Sequence, residues 1–132
     1  GRGSRILETR LIVVEEKKVN EFTAQATEAT GPIKFATISS TASGDTTIVA
    51  AVTGKKLRVL VWCLTAANGV NEAVKFRTAT TDITGIISLS SDSVAGAFSP
   101  VGHFETVAAE LLAINNASAG DVTGYLVYQE ID

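Results

Sequence analysis

The chain has 132 residues, of which 45% are apolar and 19% charged, so it fits one globular domain and is not a wholly disordered protein. Its net charge of −3 leaves no surplus of Lys and Arg for phosphate contacts, so nucleic acid is not an expected partner. No stretch approaches the roughly eighteen apolar residues of a membrane-spanning helix, so no membrane partner is expected either.

Charge and composition change near residue 40. We interpret residues 1–40 as an N-terminal arm or extension and residues 41–132 as a separate β-sandwich domain. Within the arm, residues 11–14 (Leu-Ile-Val-Val) form a short apolar run of strand type, whereas the apolar residues between 19 and 26 have helical spacing. The sequence therefore leaves the structure of the arm open. Residues 1–4 (Gly-Arg-Gly-Ser) are interpreted as a processing or expression remnant.

From residue 33 onwards, strand-sized apolar runs recur about every eight to twelve residues, which is typical of a β-sandwich or barrel. The predicted strands are 33–38, 45–52, 56–66, 71–78, 83–90, 101–107, 110–115 and 121–130. Turn-forming residues such as Asn68-Gly69 and Gly120-Asp121 separate them. The pattern predicts an all-β fold, an antiparallel β-sandwich of jelly-roll-like topology preceded by the N-terminal arm.

The predicted strand at 57–64 is apolar on both of its alternating faces. One face consists of Val59, Val61 and Cys63, and the other of Leu60, Trp62 and Leu64. One sandwich core covers only one face of a strand, and large exposed apolar patches are rare on monomers. We therefore expect the N-terminal segment or a neighbouring subunit to cover the second face, with Leu60, Trp62 and Leu64 as candidate oligomer-interface residues.

The residues that could carry chemistry form no catalytic or metal-binding signature. His103 is the only histidine and no Gly-x-Ser-x-Gly elbow accompanies it, while Cys63 is the only cysteine and reads as a buried small hydrophobe. Asp92 lies in a loop without the alternating acidic spacing of a calcium site. Glu105 and Glu110 flank one turn and read as a solvated rim. We expect no enzyme, no cofactor and no metal; a small hydrolase built on His103, Glu105 and Glu110 is the least favoured hypothesis.

Three groups of strand-and-turn residues carry a family resemblance. They are Gly54 to Leu60 with Val74 to Arg77 and Thr84-Gly85, then Pro100 to Thr106 with Leu111 to Asn115, and finally Val122 to Tyr128. Through them the stretch 46–131 resembles a small β-sandwich domain of tailed-bacteriophage virion proteins, including head decoration proteins and some fibre-associated modules. Where such domains often carry a glycine before the penultimate strand, this chain has Ala108-Ala109-Glu110.

The resemblance implies a jelly-roll-like structural domain, often a homotrimer, that adheres to a shell and carries no catalytic residue. The leading hypothesis is a capsid decoration or cement protein on the exterior of the virion, whose partner is the major capsid protein lattice. Binding only the assembled head would stabilise it by mass action. The candidate capsid contacts are Arg5, Leu7, Arg10, Leu11 and Ile12. An ordinary edge strand of the same sandwich is the alternative interpretation of that segment.

A second hypothesis is a receptor- or glycan-binding module of a phage fibre or tail. It would use strand-end loops around Asn68-Gly69, Ser91 to Gly96 and Asn115-Asn116 as a recognition rim.

Overall fold

The computed structural model describes residues 31–132, which form ten β-strands. The strands are β1 (Ile33–Ser40), β2 (Gly44–Val49), β3 (Lys56–Ala66), β4 (Glu72–Thr78), β5 (Thr81–Asp82), β6 (Ile87–Leu89), β7 (Val94–Phe98), β8 (Phe104–Glu105), β9 (Leu112–Asn116) and β10 (Val122–Ile131). This part of the chain contains no helix with the length and hydropathy needed to cross a membrane.

The strands form two antiparallel sheets. Sheet A has the order β1-β10-β3-β7, with the short β8 also paired to β3, and sheet B has the order β2-β9-β4-β5, with β6 also paired to β4. No two neighbours in sheet A are consecutive in the chain, because the chain repeatedly crosses from one sheet to the other. Such crossing is the arrangement of a jelly roll. The predicted all-β antiparallel sandwich is confirmed.

The core lies between the two sheets and follows strand alternation. Fully buried aliphatic residues come from both sheets, including Leu57, Leu64, Leu112, Ile114 and Leu126. The Phe76 ring lies at the centre of the core. Its centroid is 5.9 Å from that of the Trp62 ring and 4.9 Å from that of the Phe104 ring. Sheet A and sheet B are therefore joined by one continuous aromatic and aliphatic layer.

A β-bulge in β3 decides which of its side chains face the core. Val61 pairs with Val127 and Val59 pairs with Tyr128, so Leu60 is the extra residue. Val59 and Leu64 are buried, and Trp62 packs against the same core. Leu60 is only 7% exposed. Of the predicted oligomer-interface residues, Leu64 thus lies in the core and Trp62 packs against it, whereas Leu60 is the buried extra residue of the bulge. The outward residues of this strand are Val61 and Cys63.

The sandwich begins earlier in the chain than the predicted boundary at residue 40. β1 pairs with β10 along its whole length, from Ile33 opposite Gln129 to Ser40 opposite Val122. It therefore belongs to sheet A rather than to an arm. The candidate capsid contacts Arg5, Leu7, Arg10, Leu11 and Ile12 lie outside the described residues.

Candidate functional site: the outer face of sheet A

A row of four apolar residues crosses the outer face of sheet A. Phe35 pairs with Val127, Val127 with Val61, and Val61 with Phe98. Phe35 and Phe98 are 76% and 69% exposed, whereas the two valines between them are partly buried. Three inter-strand spacings separate the phenylalanines, or roughly 14 Å. They therefore stand as two raised edges of a shallow apolar strip.

The next rows extend this strip. Tyr125, which is 48% exposed, pairs with Cys63, and Cys63 pairs with Gly96. A side chain at Gly96 would place its Cβ 2.7 Å from the carbonyl oxygen of Trp62, so the surface is low at this point. In the following row Val94 is 72% exposed. We call this surface the apolar face and define it as Phe35, Val61, Val94, Phe98, Tyr125 and Val127.

The outer face of sheet B has the opposite character. Arg77 forms ion pairs with Asp45 at 3.0 Å and with Asp82 at 2.9 Å, and Lys75 pairs with Asp82 at 2.9 Å. Asn115 donates a hydrogen bond to Asp45 at 2.7 Å. The hydrogen bond from Lys75 lowers the pKa of Asp82 below its ordinary value. Sheet B therefore presents a network of ion-paired side chains, whereas the outer face of sheet A presents apolar side chains.

One end of the apolar face is bordered by charge. Glu105 on β8 accepts a hydrogen bond from Arg58 Nε at 2.8 Å and lies 3.6 Å from the Lys56 ammonium. Lys56 and Arg58 precede Val61 in β3, on the far side of the bulge, and Glu105 pairs with Arg58 from β8. A partner on the apolar face would thus meet a polar rim at this end, as is usual in protein interfaces.

The strand-end loops form an open groove of about 390 Å³ at the β4 end of sheet B. Its polar lining consists of Asn71, Glu72, Ser88, Ser90 and Ser118. Glu72 is 4% exposed. It accepts hydrogen bonds from Ser118 N at 2.9 Å, Ser118 Oγ at 2.7 Å, Gly120 N at 3.0 Å and Ala73 N at 3.3 Å.

Burial acts to raise the pKa of Glu72, but the hydrogen bonds from Ser118, Gly120 and Ala73 outweigh it and the pKa is lowered. The carboxylate is therefore held ionised by the backbone of the 117–120 loop. Glu72 therefore holds that loop in place, and both of its carboxylate oxygens already accept hydrogen bonds.

The amides of the predicted recognition rim also hold the fold. Asn68 donates to Asp121, and Asn115 lies on the outer face of sheet B. Asn116 is buried and donates to the carbonyls of Ser40 at 3.3 Å and Gly120 at 3.1 Å. The structure does not bring these three amides together as one surface.

The catalytic candidates are likewise separated by their partners. His103 is exposed and its backbone N–H donates to the Val59 carbonyl. Glu105 pairs with Arg58 in sheet A, whereas Glu110 accepts a hydrogen bond from Thr78 of sheet B at 2.8 Å. Within residues 31–132, no group of three or more His, Cys, Asp or Glu residues could hold a metal ion. That the chain is not an enzyme stays a prediction.

Sequence reasoning missed the exposed phenylalanines of the apolar face. Phe35 was available, because Ile33-Lys34-Phe35-Ala36 carries apolar residues on both alternating faces, as β3 does. Phe98 follows the small residues Ala95-Gly96-Ala97, in a stretch that lies between the predicted strands 83–90 and 101–107. β7 was missed because Gly96 lies inside the strand, whereas a glycine in the sequence was expected to mark a turn or a strand end.

No family model matches the chain, and no curated protein matches it. Among solved structures, a chain of the cyanophage Pam1 capsid asymmetric unit is 16% identical with a TM-score of 0.47, covering 77% of this chain and 86% of that one. A chain of the Bacillus endospore appendages, described as disulfide-linked pili, is 13% identical with a TM-score of 0.47, covering 76% and 88%. A family 35 carbohydrate binding module from Clostridium thermocellum is 11% identical with a TM-score of 0.39, covering 73% and 90%. Likenesses this distant carry no argument about function.

Proposed function

We propose that this chain is a structural protein of a phage virion, a capsid decoration or cement protein that binds the assembled head and stabilises it. The observation that carries the proposal is the contrast between the apolar outer face of sheet A and the ion-paired outer face of sheet B. A one-sided apolar face fits a protein that adheres to another protein surface. The resemblance of residues 46–131 to tailed-phage virion domains supports a phage shell as the partner.

In this proposal the apolar face is buried on the capsid exterior, against the lattice or against symmetry-related copies. Full burial of a phenylalanine contributes about 1.5–3 kcal/mol, so Phe35 and Phe98 are the strongest candidate anchors. A homotrimer would match a three-fold position of the shell. Because the protein binds the closed shell and not the open one, each bound copy favours the closed state.

The test is binding to purified undecorated capsids, followed by co-sedimentation and by the temperature at which the shells open. The double variant Phe35→Ser/Phe98→Ser should bind at least tenfold more weakly, because two exposed anchors are lost without disturbing the core. Ile86→Ser is the matched control, since Ile86 is 72% exposed but lies between β5 and β6 of sheet B. It should bind and stabilise shells like the unaltered chain.

Failure of the unaltered chain to bind any undecorated shell would overturn the proposal. Equal binding by the double variant and the Ile86 control would keep the shell as partner but remove the apolar face as the contact. Both variants should unfold at the same temperature as the unaltered chain, which verifies that binding and not folding is measured.

A second candidate function, a receptor- or glycan-binding module of a fibre or tail, is favoured by the groove beside Glu72. Its volume falls in the range of small-ligand sites, and its serine and asparagine side chains could bind hydroxyl groups. Its lining residues include no aromatic ring of the kind that stacks on sugars, which ranks it second. Binding on a glycan array that disappears in Ser88→Ala/Ser90→Ala would establish it, and an array without binding would remove it.

A further inference from the structure

We propose that in solution two copies of this chain pack apolar face to apolar face, as a homodimer whose two-fold axis runs across the strands of sheet A. The occupant of the apolar face in the free protein is thus a second copy. This inference goes beyond the proposed function, because it concerns the protein before it meets any other partner.

The outer face of sheet A consists of four rows, each with one residue from each of four neighbouring strands. The phenylalanine row is Phe35, Val127, Val61 and Phe98. The tyrosine row beside it is Thr37, Tyr125, Cys63 and Gly96. Beyond the tyrosine row lies the threonine row, which is Ser39, Thr123, Thr65 and Val94. Beyond the phenylalanine row lies the arginine row, which is Ile33, Gln129, Arg58 and Glu105.

The two middle rows are complementary in height to each other. A two-fold axis that runs between them, parallel to both, places each row opposite the other row of the second copy, strand by strand. The exposed ring of Phe98 then lies opposite Gly96, where the surface is low, and the exposed ring of Phe35 lies opposite Thr37. A large side chain thus meets a small one at both edges of the sheet, which is how packed faces interdigitate.

The other in-plane axis, along the strands, gives a poorer fit. It would reverse the order of the strands and place Phe35 opposite Phe98, so that the two tallest side chains meet. Gly96 would lie opposite Thr37, and the small side chains there would leave a gap. The heights of these residues therefore select the axis that runs across the strands.

The area of this face suffices for a specific dimer. Four strands about 4.8 Å apart and four rows about 6.8 Å apart cover roughly 500 Å² on each copy. A pair of copies then buries roughly 1,000 Å², which is about the lower limit for a specific interface with good complementarity. Five of the nine exposed large apolar side chains of residues 31–132 lie on this face. Removing apolar area from water therefore favours this surface over the others that the structure describes.

The charges of the face are compatible with the same axis. Arg58 Nη2 lies 2.7 Å from Glu105 Oε2, and the arginine row that contains them lies opposite the threonine row of the second copy. The two ion pairs of the dimer are thus at opposite ends of the interface, roughly 20 Å apart along the strands. This separation exceeds the screening length of about 8 Å at physiological salt. Within the four rows, the apolar centre is therefore bounded by a polar rim in which like charges do not meet.

The first measurement is the solution mass of the full chain, by light scattering coupled to size exclusion over a range of concentrations. The mass should rise from one chain to two and stop there, because a two-fold contact uses the same surface on both copies and closes. Phe98→Ser should weaken association at least tenfold, since each dimer loses two buried rings. Ile86→Ser is the matched control and should associate like the unaltered chain, because Ile86 is 72% exposed but lies in the connection between β5 and β6, away from sheet A.

A pair of charged variants tests which rows face each other. Phe35→Lys and Thr37→Asp should each be monomeric at a concentration at which the unaltered chain is a dimer, because each would bury an unpaired charge in the interface. An equimolar mixture of the two should regain the dimer mass, since the introduced lysine and aspartate then lie opposite each other. In the control mixture Phe98→Asp replaces Thr37→Asp, and this mixture should stay monomeric. Phe35, Thr37 and Phe98 are exposed in the single copy, so all three variants should unfold at the temperature of the unaltered chain.

A full chain that stays monomeric at every concentration, or that assembles beyond two copies, would overturn the proposal. So would equal association of Phe98→Ser and the unaltered chain. Recovery of the dimer by the Phe98→Asp mixture instead of the Thr37→Asp mixture would place the axis along the strands and contradict the pairing. No capsid enters these measurements, so their failure is distinct from failure of the proposed function.

Discussion

Ala109 has a backbone conformation that suits glycine better than alanine. Its φ of 63° lies in the left-handed region, in the turn before β9. Its N–H donates to the Lys55 carbonyl at 2.8 Å, so the neighbouring chain holds the turn in place. The phage domains that this sequence resembles often carry glycine before the penultimate strand. The turn thus has a glycine-type geometry with an alanine in it.

We predict that Ala109→Gly raises the free energy of unfolding by roughly 0.5–1 kcal/mol. The substitution removes the strain of a left-handed alanine, and this gain outweighs the greater conformational entropy that glycine gives to the unfolded chain. Ala108→Gly, at a neighbouring position without a positive φ, should lower it instead. Denaturant unfolding of the two variants measures both. A loss of stability in both would contradict the strain at Ala109.

Glu72 should make stability depend on pH in one direction. Its folded-state pKa is lower than the ordinary value of 4.5, so the ionised form favours the folded state. The contribution is complete above pH 4.5 and is lost as the pH falls through the folded-state pKa. At pH 7, Glu72→Gln should cost roughly 1–3 kcal/mol, since an amide cannot replace a carboxylate that accepts four hydrogen bonds. Unfolding curves of the two proteins should converge below pH 4.5; a constant difference would exclude Glu72 as the titrating group.

At the scale of strands, two glycines let β3 be approached closely from both sides. Gly124 in β10 has a φ of 153°, and a side chain there would collide with the Cys63 carbonyl. Gly96 in β7 lies against the Trp62 carbonyl on the other side. Both glycines are inside strands, where they set the spacing of sheet A beneath the apolar face.

Gly124→Ala should therefore destabilise the protein by about 3 kcal/mol or more, through backbone strain and displacement of β3. Gly85→Ala is the control, because nothing lies within 4 Å of its added Cβ and its φ is not positive. It should change stability by less than about 0.5 kcal/mol. Thermal unfolding compares the two, and similar losses would mean that the close approach of β10 to β3 is not what Gly124 provides.

The sequence pattern located the strands well where apolar residues recur, and less well where side chains replace backbone hydrogen bonds. β3 was predicted with its observed bounds and β4 within one residue. Of the predicted strand 83–90, only Ile87–Leu89 (β6) is a strand, and the short β5 (Thr81–Asp82) precedes it. The Phe76 N–H donates to Thr84 Oγ1 at 3.0 Å, so a hydroxyl takes the place of a strand carbonyl there. The periodicity of apolar residues does not reveal where a side chain replaces a backbone hydrogen-bond acceptor.

The apolar face could likewise be predicted only in part from the sequence. Apolar residues on both sides of β3 correctly indicated that sheet A has a second apolar surface, because that conclusion needs only alternation. Which residues form it depended on the bulge at Leu60, which turns Val61 and Cys63 outward. A bulge adds one residue without a distinctive residue type, so no feature of this run marked it.

For the whole molecule, the distribution of strands predicts what residues 1–30 contribute. All ten described strands and the buried core lie between Ile33 and Ile131. A chain that begins at Gly31 should therefore fold and unfold cooperatively, as measured by circular dichroism. Loss of folding in this shortened chain would show that residues 1–30 are part of the sandwich core.

The shortened chain should also associate with itself, because the apolar face of sheet A is exposed on residues 31–132. Light scattering coupled to size exclusion should show a mass that rises with concentration, and Phe35→Ser/Phe98→Ser in the shortened chain should return it to a monomer. Ile86→Ser should not, since Ile86 is equally exposed but lies in the connection between β5 and β6, away from sheet A. If association survives the double variant, the open edges of β1 and β7 rather than the phenylalanines drive it, because unpaired strand edges are the other surface that sheet A offers to a second copy.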